Sequence, residues 1–276
     1  MLKKIAKFSL WTLGIVVVLI TCLIGLLSCT LPKSDPFAGK LIDLTYAFDE
    51  NTIFWPTAKG FALEVVSAQQ TAAGFYYAAN NFCSAEHGGT HLDAPIHFFE
   101  GRHTADEIPL QQLIGPGVVI DVAEKCAADR DYRVQVADFT NWERQHGRQL
   151  HEVIVLLRTG FGKYWPDRVQ YLGTDERGPD AVAKLHFPGL HPAAAKWLTE
   201  NRRIKAVGLD TPSIDYGQST LFESHVTLFE KNVPAFENVA NLDQLPETDF
   251  TVIALPMKIK GGSGGPLRIV AILSED

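Results

Sequence analysis

Apolar and polar residues alternate along the chain in short stretches that predict many strands and a few helices. The predicted strands combine β-branched or aromatic residues with turn residues at their ends. They lie at residues 41–45, 61–67, 75–81, 118–122, 152–158, 204–209, 252–259 and 267–273. Helical spacing predicts α-helices at residues 136–146, 192–203 and 222–231. Strands outnumber helices, and some successive strands are joined as hairpins whereas others are joined by crossovers. The sequence therefore predicts an α+β (mixed α/β) domain.

Two stretches between these elements carry distinctive residues. Residues 159–188 are long, aromatic and polar, and a connection of that length in a compact domain is often functional. We expect it to form either the rim or lid of a binding site or a subunit contact. Residues 261–266, Gly-Gly-Ser-Gly-Gly-Pro, lack the Lys and Ser/Thr of a phosphate-binding loop and do not precede a helix, so we interpret them as a flexible turn.

The first 29 residues have the composition of a membrane-targeting helix. Three lysines precede an uncharged run over residues 8–27, which is about long enough to cross a bilayer core. The lysines favour a cytoplasmic N-terminus, so the rest of the chain is expected to be membrane-tethered outside the cytoplasm, in the periplasm or at the cell surface. Residues 26–29, Leu-Leu-Ser-Cys, resemble a lipobox that would make Cys29 the lipidated first residue of a lipoprotein, with an uncleaved anchor as the alternative.

The composition of the remaining chain indicates how it is divided into segments and which classes of partner it excludes. Residues 30–40 contain two prolines, a glycine and polar residues, and are interpreted as a tether. Residues 41–276 are interpreted as one domain. A net charge of −7 and the lack of a basic patch exclude nucleic acid as the partner. An exported location permits a disulfide between Cys83 and Cys126, although the sequence does not show that they meet.

Four histidines and a carboxylate are concentrated between residues 87 and 103. His87, His91, Asp93 and His97 lie in His-Gly-Gly-Thr-His-Leu-Asp-Ala-Pro-Ile-His, with His103 just beyond. The glycines and the proline oppose a helix, so we predict a turn that leads into an extended segment in which His91 and Asp93 point to the same side. Imidazole and carboxylate groups suit zinc or manganese. We therefore predict a divalent metal site in preference to a loop of hydrogen-bonded polar residues.

These residues carry a resemblance to a known family. The sequence from residue 87 to residue 98, which ends in Ile-His-Phe, resembles the HxGTHxDxPxHF motif of the cyclase family. That family includes bacterial kynurenine formamidases and isatin hydrolases, which are metal-dependent amide and lactam hydrolases. The resemblance extends from about Ile42 to the C-terminus, and it implies a swivelling β/β/α fold and a homo-oligomer.

The same resemblance implies a complete set of metal ligands. His225 and Glu237 are twelve residues apart, a spacing that matches the second metal-ligand pair of the kynurenine formamidase branch. In that arrangement His87 and His91 hold one ion, His225 holds another, and Asp93 and Glu237 bridge the two. Members similar to isatin hydrolase use a single manganese with a different ligand set, so one or two ions of zinc or manganese are expected per chain. Without the resemblance, a helix-face histidine and a solvated carboxylate remain the alternative.

Further positions of the family fall on His97 and Trp55. The resemblance assigns proton transfer to His97, and the alternative is a further metal ligand or a residue that supports one. Trp55 corresponds to a tryptophan that lines the substrate site, and a flat indole suits an aromatic amide; burial in the core is the alternative. Gln218 could be one of the ligands around a single manganese ion, but we favour a role in capping the turn in which it lies.

The sequence as a whole favours a metal-dependent hydrolase of a cyclic or N-acyl amide. A metal-activated water would attack the carbonyl, and His97 would act as general acid/base. Hydrolysis of an unrelated small ester or lactone is an alternative from the same chemistry. An exported metal-binding protein without turnover is the alternative from a different class. It would explain the ligands, but it gives no role to His97 and Trp55.

Overall fold

The structure is a computed structural model that describes residues 39–274. The membrane-targeting segment predicted for residues 1–29, and almost all of the tether predicted for residues 30–40, lie outside the described residues. Within residues 39–274, no helix has the length and the apolar character needed to cross a membrane. The anchor and the lipidation of Cys29 therefore stay predictions.

Twelve strands and seven α-helices follow one another in residues 39–274. The strands are β1 (Leu41–Asp43), β2 (Ala62–Gln70), β3 (Tyr76–Cys83), β4 (His91–Asp93), β5 (Ile114–Asp121), β6 (Arg133–Val134), β7 (Ile154–Arg158), β8 (Gly189–Leu190), β9 (Ala206–Leu209), β10 (Ala235–Glu237), β11 (Phe250–Pro256) and β12 (Gly264–Leu273). The α-helices are α1 (Leu110–Leu113), α2 (Ala123–Ala128), α3 (Val136–His146), α4 (Arg168–Leu172), α5 (Pro179–Val182), α6 (Pro192–Asn201) and α7 (Glu223–Glu230). Short 3-10 helices cover Pro95–His97, Phe161–Tyr164 and Leu242–Gln244.

Eight of the strands form one sheet that closes on itself. Their order is β1-β12-β11-β5-β7-β9-β10-β4, and β12 also pairs with β4, so that the sheet is barrel-like. The central strands β5, β7, β9 and β10 are parallel neighbours, whereas β11, β12, β1 and β4 pair antiparallel. The order confirms a mixed α/β domain, and closure leaves few strand edges exposed.

The parallel strands are buried on both faces, which explains their unbroken apolar sequences. In β7, Ile154 and Leu156 belong to a core cluster to which all eight strands contribute, so this cluster fills the inside of the barrel. Val155 and Leu157 point the other way and pack with residues of α3, α6 and α7. A layer of helices therefore covers the parallel side of the barrel.

The three predicted helices are present, with changes only at their ends. α3 matches its prediction residue for residue, and Gly147 follows it as a left-handed C-cap with a φ of +63°. α6 ends at Asn201 because the next residue, Arg202, is already extended. Each of the eight predicted strands also has a counterpart, with shifted ends. The prediction missed the short helices α1, α2, α4 and α5 and the short strands β6, β8 and β10.

The sequence predicted this strand only from residue 118, but β5 begins four residues earlier, at Ile114. Gly115, Pro116 and Gly117 are instead paired with β11. A Cβ on Gly117 would lie 2.1 Å from the ring of Phe250, so the glycine is needed for close packing between the two strands. Local composition could not show this, because the packing partner lies far away in the sequence.

Residues 159–188 are folded into the core and do not form a free loop. They contain α4, α5 and one 3-10 helix, and the side chain of Tyr171 is fully buried. The ring of Trp165 stacks on Tyr46 with a centroid separation of 4.2 Å. The aromatic residues of this segment are therefore structural.

The β2–β3 hairpin contrasts with the rest of the chain because most of its side chains are exposed. Within residues 39–274, the two strands pair with each other and with no further strand. Their large apolar side chains are more than half exposed to solvent, and these are Leu63, Val65, Val66, Tyr76, Tyr77 and Phe82.

Candidate active site

A cavity of about 280 Å³ opens beside β4, β10 and the start of α7. Its walls are mostly apolar and aromatic, and its polar groups are concentrated at one end. The polar lining includes every residue that the sequence proposed as a metal ligand, namely His87, His91, Asp93, His225 and Glu237. His97 and Trp55 line the same cavity. All seven predicted site residues therefore meet in one place.

The strand β4 delivers two of these residues directly. As predicted, His91 and Asp93 point to the same side of an extended segment, while Leu92 between them enters the core of the barrel. The neighbouring strand β10 places Glu237 opposite His91. Gly89 has a φ of +56°, a conformation that favours glycine, and it turns the chain into β4.

The ring of His91 is fixed so that one nitrogen faces the other site residues. Its Nδ1 donates a hydrogen bond to the carbonyl oxygen of Gly89 at 2.9 Å. Its Nε2 is buried and has no hydrogen-bond partner among the described residues. That atom lies 3.1 Å from Asp93 Oδ1 and 3.4 Å from Glu237 Oε2. A lone pair and two carboxylate oxygens thus converge with no proton donor between them.

His225, in the first turn of α7, is held in a similar way. Its Nδ1 lies 2.6 Å from Asp215 Oδ2, and that carboxylate also accepts hydrogen bonds from the backbone N–H groups of Ser224 and His225. With the Nδ1 proton directed to Asp215, the Nε2 lone pair faces Glu237 Oε1 at 3.0 Å and Asp93 Oδ2 at 3.3 Å. Carboxylate–histidine pairs of this type orient metal ligands in proteins.

Asp93 lies between two groups of imidazoles. Its Oδ1 is 2.7 Å from His87 Nδ1 and 3.1 Å from His91 Nε2, whereas its Oδ2 faces His225. Three imidazoles and two carboxylates therefore converge in a largely buried space, which is unfavourable unless protons or a metal ion lie among them. Nitrogen and carboxylate ligands of this kind fit a divalent ion such as zinc or manganese.

The carboxylates of the site favour a positive charge between Asp93 and Glu237. Burial lowers the pKa of His225, but hydrogen bonds to Asp215, Asp93 and Glu237 outweigh it and raise the pKa well above its ordinary value. Burial raises the pKa of Glu237, and the negative charge of Asp93 raises it further. The two carboxylates thus repel each other unless protons or a metal ion neutralise them.

His97 lies beside this group at the end of a 3-10 helix. Its ring stacks on His87 with a centroid separation of 3.8 Å, and it is close enough to His87 and Asp93 to share an ion with them. Burial lowers the pKa of His97 to about 4, although the charge of Asp93 opposes this shift. The imidazole is therefore neutral near pH 7 and can accept a proton.

Aromatic rings line the cavity beside the polar groups, and Phe98 lies 4.6 Å, centroid to centroid, from His225. Trp55 packs edge-on against the core residue Phe187 and against Phe222, so it joins the core to the cavity. Phe222 also lies 5.0 Å, centroid to centroid, from Phe98. Phe222 has a φ of +49°, which is unusual for a large side chain and marks a constrained position. The sequence reasoning missed Phe222 because no local pattern distinguishes it from a core residue.

Several other sequence-based expectations fall outside the cavity. Gln218 is exposed and contacts the ring of His186, so it takes no part in a metal site here. No residue of 159–188 lines the cavity, so the predicted rim or lid was wrong. Cys83 and Cys126 are both free, so the disulfide that the sequence permitted is not formed.

Asp215 is the supporting residue that the sequence reasoning did not identify. The signal available in the sequence was weak, because an aspartate ten residues before His225 has no motif of its own. Its role depends on a loop that folds back over the start of α7. The same loop donates the backbone N–H of Ile214 to Glu237 Oε1 at 2.8 Å.

Comparisons with known proteins find relatives that match this chain over most of its length. The chain is 34% identical to the isatin hydrolase of Roseibium aggregatum over 250 residues, which cover 86% of this chain and 92% of the relative. It is 28% identical to the kynurenine formamidase of Bacillus cereus, with 84% of this chain and 97% of the relative covered. The solved isatin hydrolase A of Labrenzia aggregata superposes with a TM-score of 0.77 at 33% identity and covers 94% of this chain and 100% of that chain.

The family assignment follows from both the site and these relatives. Another solved isatin hydrolase, bound to the product analogue thioisatinate, superposes with a TM-score of 0.75 at 30% identity and covers 86% of this chain and 93% of that chain. Residues 42–216, more than half of the chain, match the Cyclase family, which is described as "Putative cyclase". The chain therefore belongs to the cyclase family.

Proposed function

We propose that the chain is a metal-dependent hydrolase that cleaves the C–N bond of a small cyclic or N-acyl amide and releases a carboxylate. One observation carries the proposal: the buried imidazoles of His91 and His225 and the buried carboxylates of Asp93 and Glu237 converge in one aromatic-walled cavity, and His91 Nε2 has no hydrogen-bond partner among the described residues. His87, His91, Asp93, His225 and Glu237 would hold one or two zinc or manganese ions. The relatives that are hydrolases of amide and lactam bonds support the same reaction class.

A divalent ion at this site would polarise the substrate carbonyl and activate water at neutral pH. The protein itself then has three tasks. Trp55 and Phe222 bind the flat face of the substrate and exclude bulk water. Asp93 and Glu237 would hold the ion at the position where it would meet the carbonyl oxygen. His97, as a neutral imidazole, accepts a proton from the attacking water and returns it to the departing nitrogen.

A planar bicyclic lactam such as isatin is the first substrate to test. The cavity walls are aromatic, and isatin hydrolases are the relatives with the highest identities among those described above. N-formylkynurenine, simple aryl amides and aryl lactones test the neighbouring possibilities. A small ester or lactone would use the same groups.

The test is to purify the full-length chain, measure its metal content, and assay these substrates with zinc or manganese. We expect bound metal, hydrolysis of at least one amide or lactam, and loss of activity in Asp93→Asn. Tight stoichiometric metal binding without turnover of any substrate would favour the metal-binding protein instead. A chain that neither binds metal nor depends on Asp93 would refute the proposal.

We also propose that the chain self-associates through the β2–β3 hairpin. An isolated two-stranded hairpin is at best marginally stable in water, and the exposed apolar residues of this one form a surface that a second copy could cover. Light scattering should give a mass above that of one chain, and Val65→Lys should reduce it. A monomeric wild type would contradict self-association through the hairpin.

Export and membrane attachment remain predictions from the composition of residues 1–29.

A further inference from the structure

The glycine-rich segment at residues 261–266 belongs to the site and is not a free turn. Gly264 and Pro266 begin β12 and pair with Asp93 and His91 of β4. The carbonyl oxygen of Ser263 accepts a hydrogen bond from Ala94 N at 2.9 Å. The segment therefore closes the barrel directly against the strand that carries two of the proposed ligands.

The hydroxyl group of Ser263 connects a carboxylate to a ligand histidine. It donates a hydrogen bond to Glu86 Oε2 at 2.6 Å, and the backbone N–H of Ser263 donates to the same oxygen at 3.1 Å. Ser263 Oγ also lies 2.8 Å from His87 Nε2. Since the only proton of the hydroxyl is directed to Glu86, the hydroxyl oxygen accepts from His87, and His87 carries its proton on Nε2.

The consequence appears at the other nitrogen of the ring. With its proton on Nε2, His87 presents a lone pair on Nδ1 to Asp93 Oδ1 at 2.7 Å. We infer that Glu86 and Ser263 are positioning residues, which hold His87 in the Nε2–H form and direct Nδ1 at the metal ion. This inference rests on the metal site proposed above. It gives His87 the support that His91 has from Gly89 and His225 has from Asp215.

The glycines have a steric role in this arrangement. A Cβ on Gly264 would lie 2.6 Å from His87 Cε1 and 2.4 Å from the carbonyl oxygen of Leu92. A Cβ on Gly262 would lie 2.8 Å from Glu86 Oε1. All three distances are shorter than side chains tolerate, and at Gly264 one of the neighbours is a backbone oxygen, so glycine is required there for the strand to approach the imidazole.

Asp93, His87 and Ser263 are arranged like the acid, base and nucleophile of a serine-hydrolase catalytic triad. The structure nevertheless opposes a nucleophilic role for Ser263. Ser263 does not line the cavity, so its hydroxyl cannot reach a bound substrate. Its proton is directed to Glu86 rather than to His87. A serine nucleophile must donate to the histidine and face the substrate carbonyl. Support of His87 is therefore the role that fits.

The test compares metal affinity in the full-length chain and its variants. Ser263→Ala and Glu86→Ala each break the connection, Glu86→Gln keeps an acceptor oxygen, and Ser67→Ala on β2 is the matched control. The dissociation constant for zinc is measured by competition with a chelator. We expect a loss of about tenfold or more in the two broken variants and little change in the other two.

Two further measurements separate positioning from general damage. Melting of the metal-free variants should match that of the control, which shows that the fold is intact; if one broken variant unfolds, the other is used. Histidine ¹⁵N NMR of the zinc-loaded chain should show His87 protonated at Nε2, and this form should be lost in Ser263→Ala.

Unchanged zinc affinity in folded Ser263→Ala and Glu86→Ala, or a proton on His87 Nδ1, would overturn the inference. These measurements use zinc alone. They therefore give the same result whether or not a substrate is found, and failure of the proposed hydrolase activity is a separate outcome. A wild type that binds no zinc or manganese would overturn both proposals.

Discussion

The support of His225 by Asp215 leads to a sharp prediction for Asp215→Asn. In the wild type, Oδ2 accepts from His225 Nδ1 and from the backbone N–H of His225, while Oδ1 accepts from Ser224 N. An asparagine has only one oxygen to place. If the amide oxygen takes the Oδ1 position, the NH₂ group faces both N–H groups of His225, and the ring is favoured to move its proton from Nδ1 to Nε2. In the other orientation the oxygen still accepts from Nδ1, but as a weaker neutral acceptor, and the NH₂ group faces the N–H of Ser224.

The size of the effect follows from the bond that is lost. The Nδ1–Oδ2 distance of 2.6 Å indicates a strong hydrogen bond to a carboxylate. Such bonds contribute about 1.5–3 kcal/mol, which corresponds to a rise of roughly 10- to 150-fold in the dissociation constant for the metal ion. A proton on Nε2 would occupy the lone pair that points at Glu237 and Asp93.

The assay is chelator competition with zinc on the full-length chain, with Asp180→Asn, an exposed aspartate of α5, as control. Urea unfolding of the metal-free proteins checks that the loss is not a loss of folding. If Asp215→Asn binds zinc as tightly as the wild type, the reasoning that His225 is a metal ligand held by Asp215 is refuted.

Four other substitutions test the remaining parts of the structure. His97→Ala should lower kcat by about 10²- to 10⁴-fold with metal content retained; loss of the metal instead would make His97 a ligand. Trp55→Ala should raise KM for an aromatic substrate by roughly tenfold, because the indole face is lost, and an unchanged KM would place Trp55 outside the substrate site. Leu156→Ala, inside the barrel, should lower the free energy of unfolding in urea by about 2–5 kcal/mol, whereas Leu110→Ala, at an exposed leucine of α1, should change it by less than about 0.5 kcal/mol.

Much of the local structure could be predicted because it depends on neighbouring residues. The strand β7 is recognisable as an apolar run, and α3 has both its periodicity and its stop signal at Gly147. His91 and Asp93 were placed on one side of a short extended segment from the glycines and the proline around them. In each case, the deciding contacts lie within a few residues of one another.

The remaining features depend on contacts between distant parts of the chain. Glu237 meets His91 only because β10 pairs with β4, and no local pattern specifies that pairing. Its position as a site residue came from the family resemblance. The aromatic residues of 159–188 suggested a lid, but the segment packs inward, as the burial of Tyr171 shows. Ser263 was overlooked because a glycine-rich sequence is compatible both with a mobile turn and with tight packing.

The position of β4 between β10 and β12 has a consequence for the stability of the folded protein. The ligands belong to stretches that are far apart in the sequence and meet only when these strands have joined. An ion bound between these strands would bind the folded state and not the unfolded chain, so its binding free energy would also oppose unfolding. We therefore expect the chain to melt at a higher temperature when loaded with metal, and the supply of metal would govern its survival as well as its reaction rate.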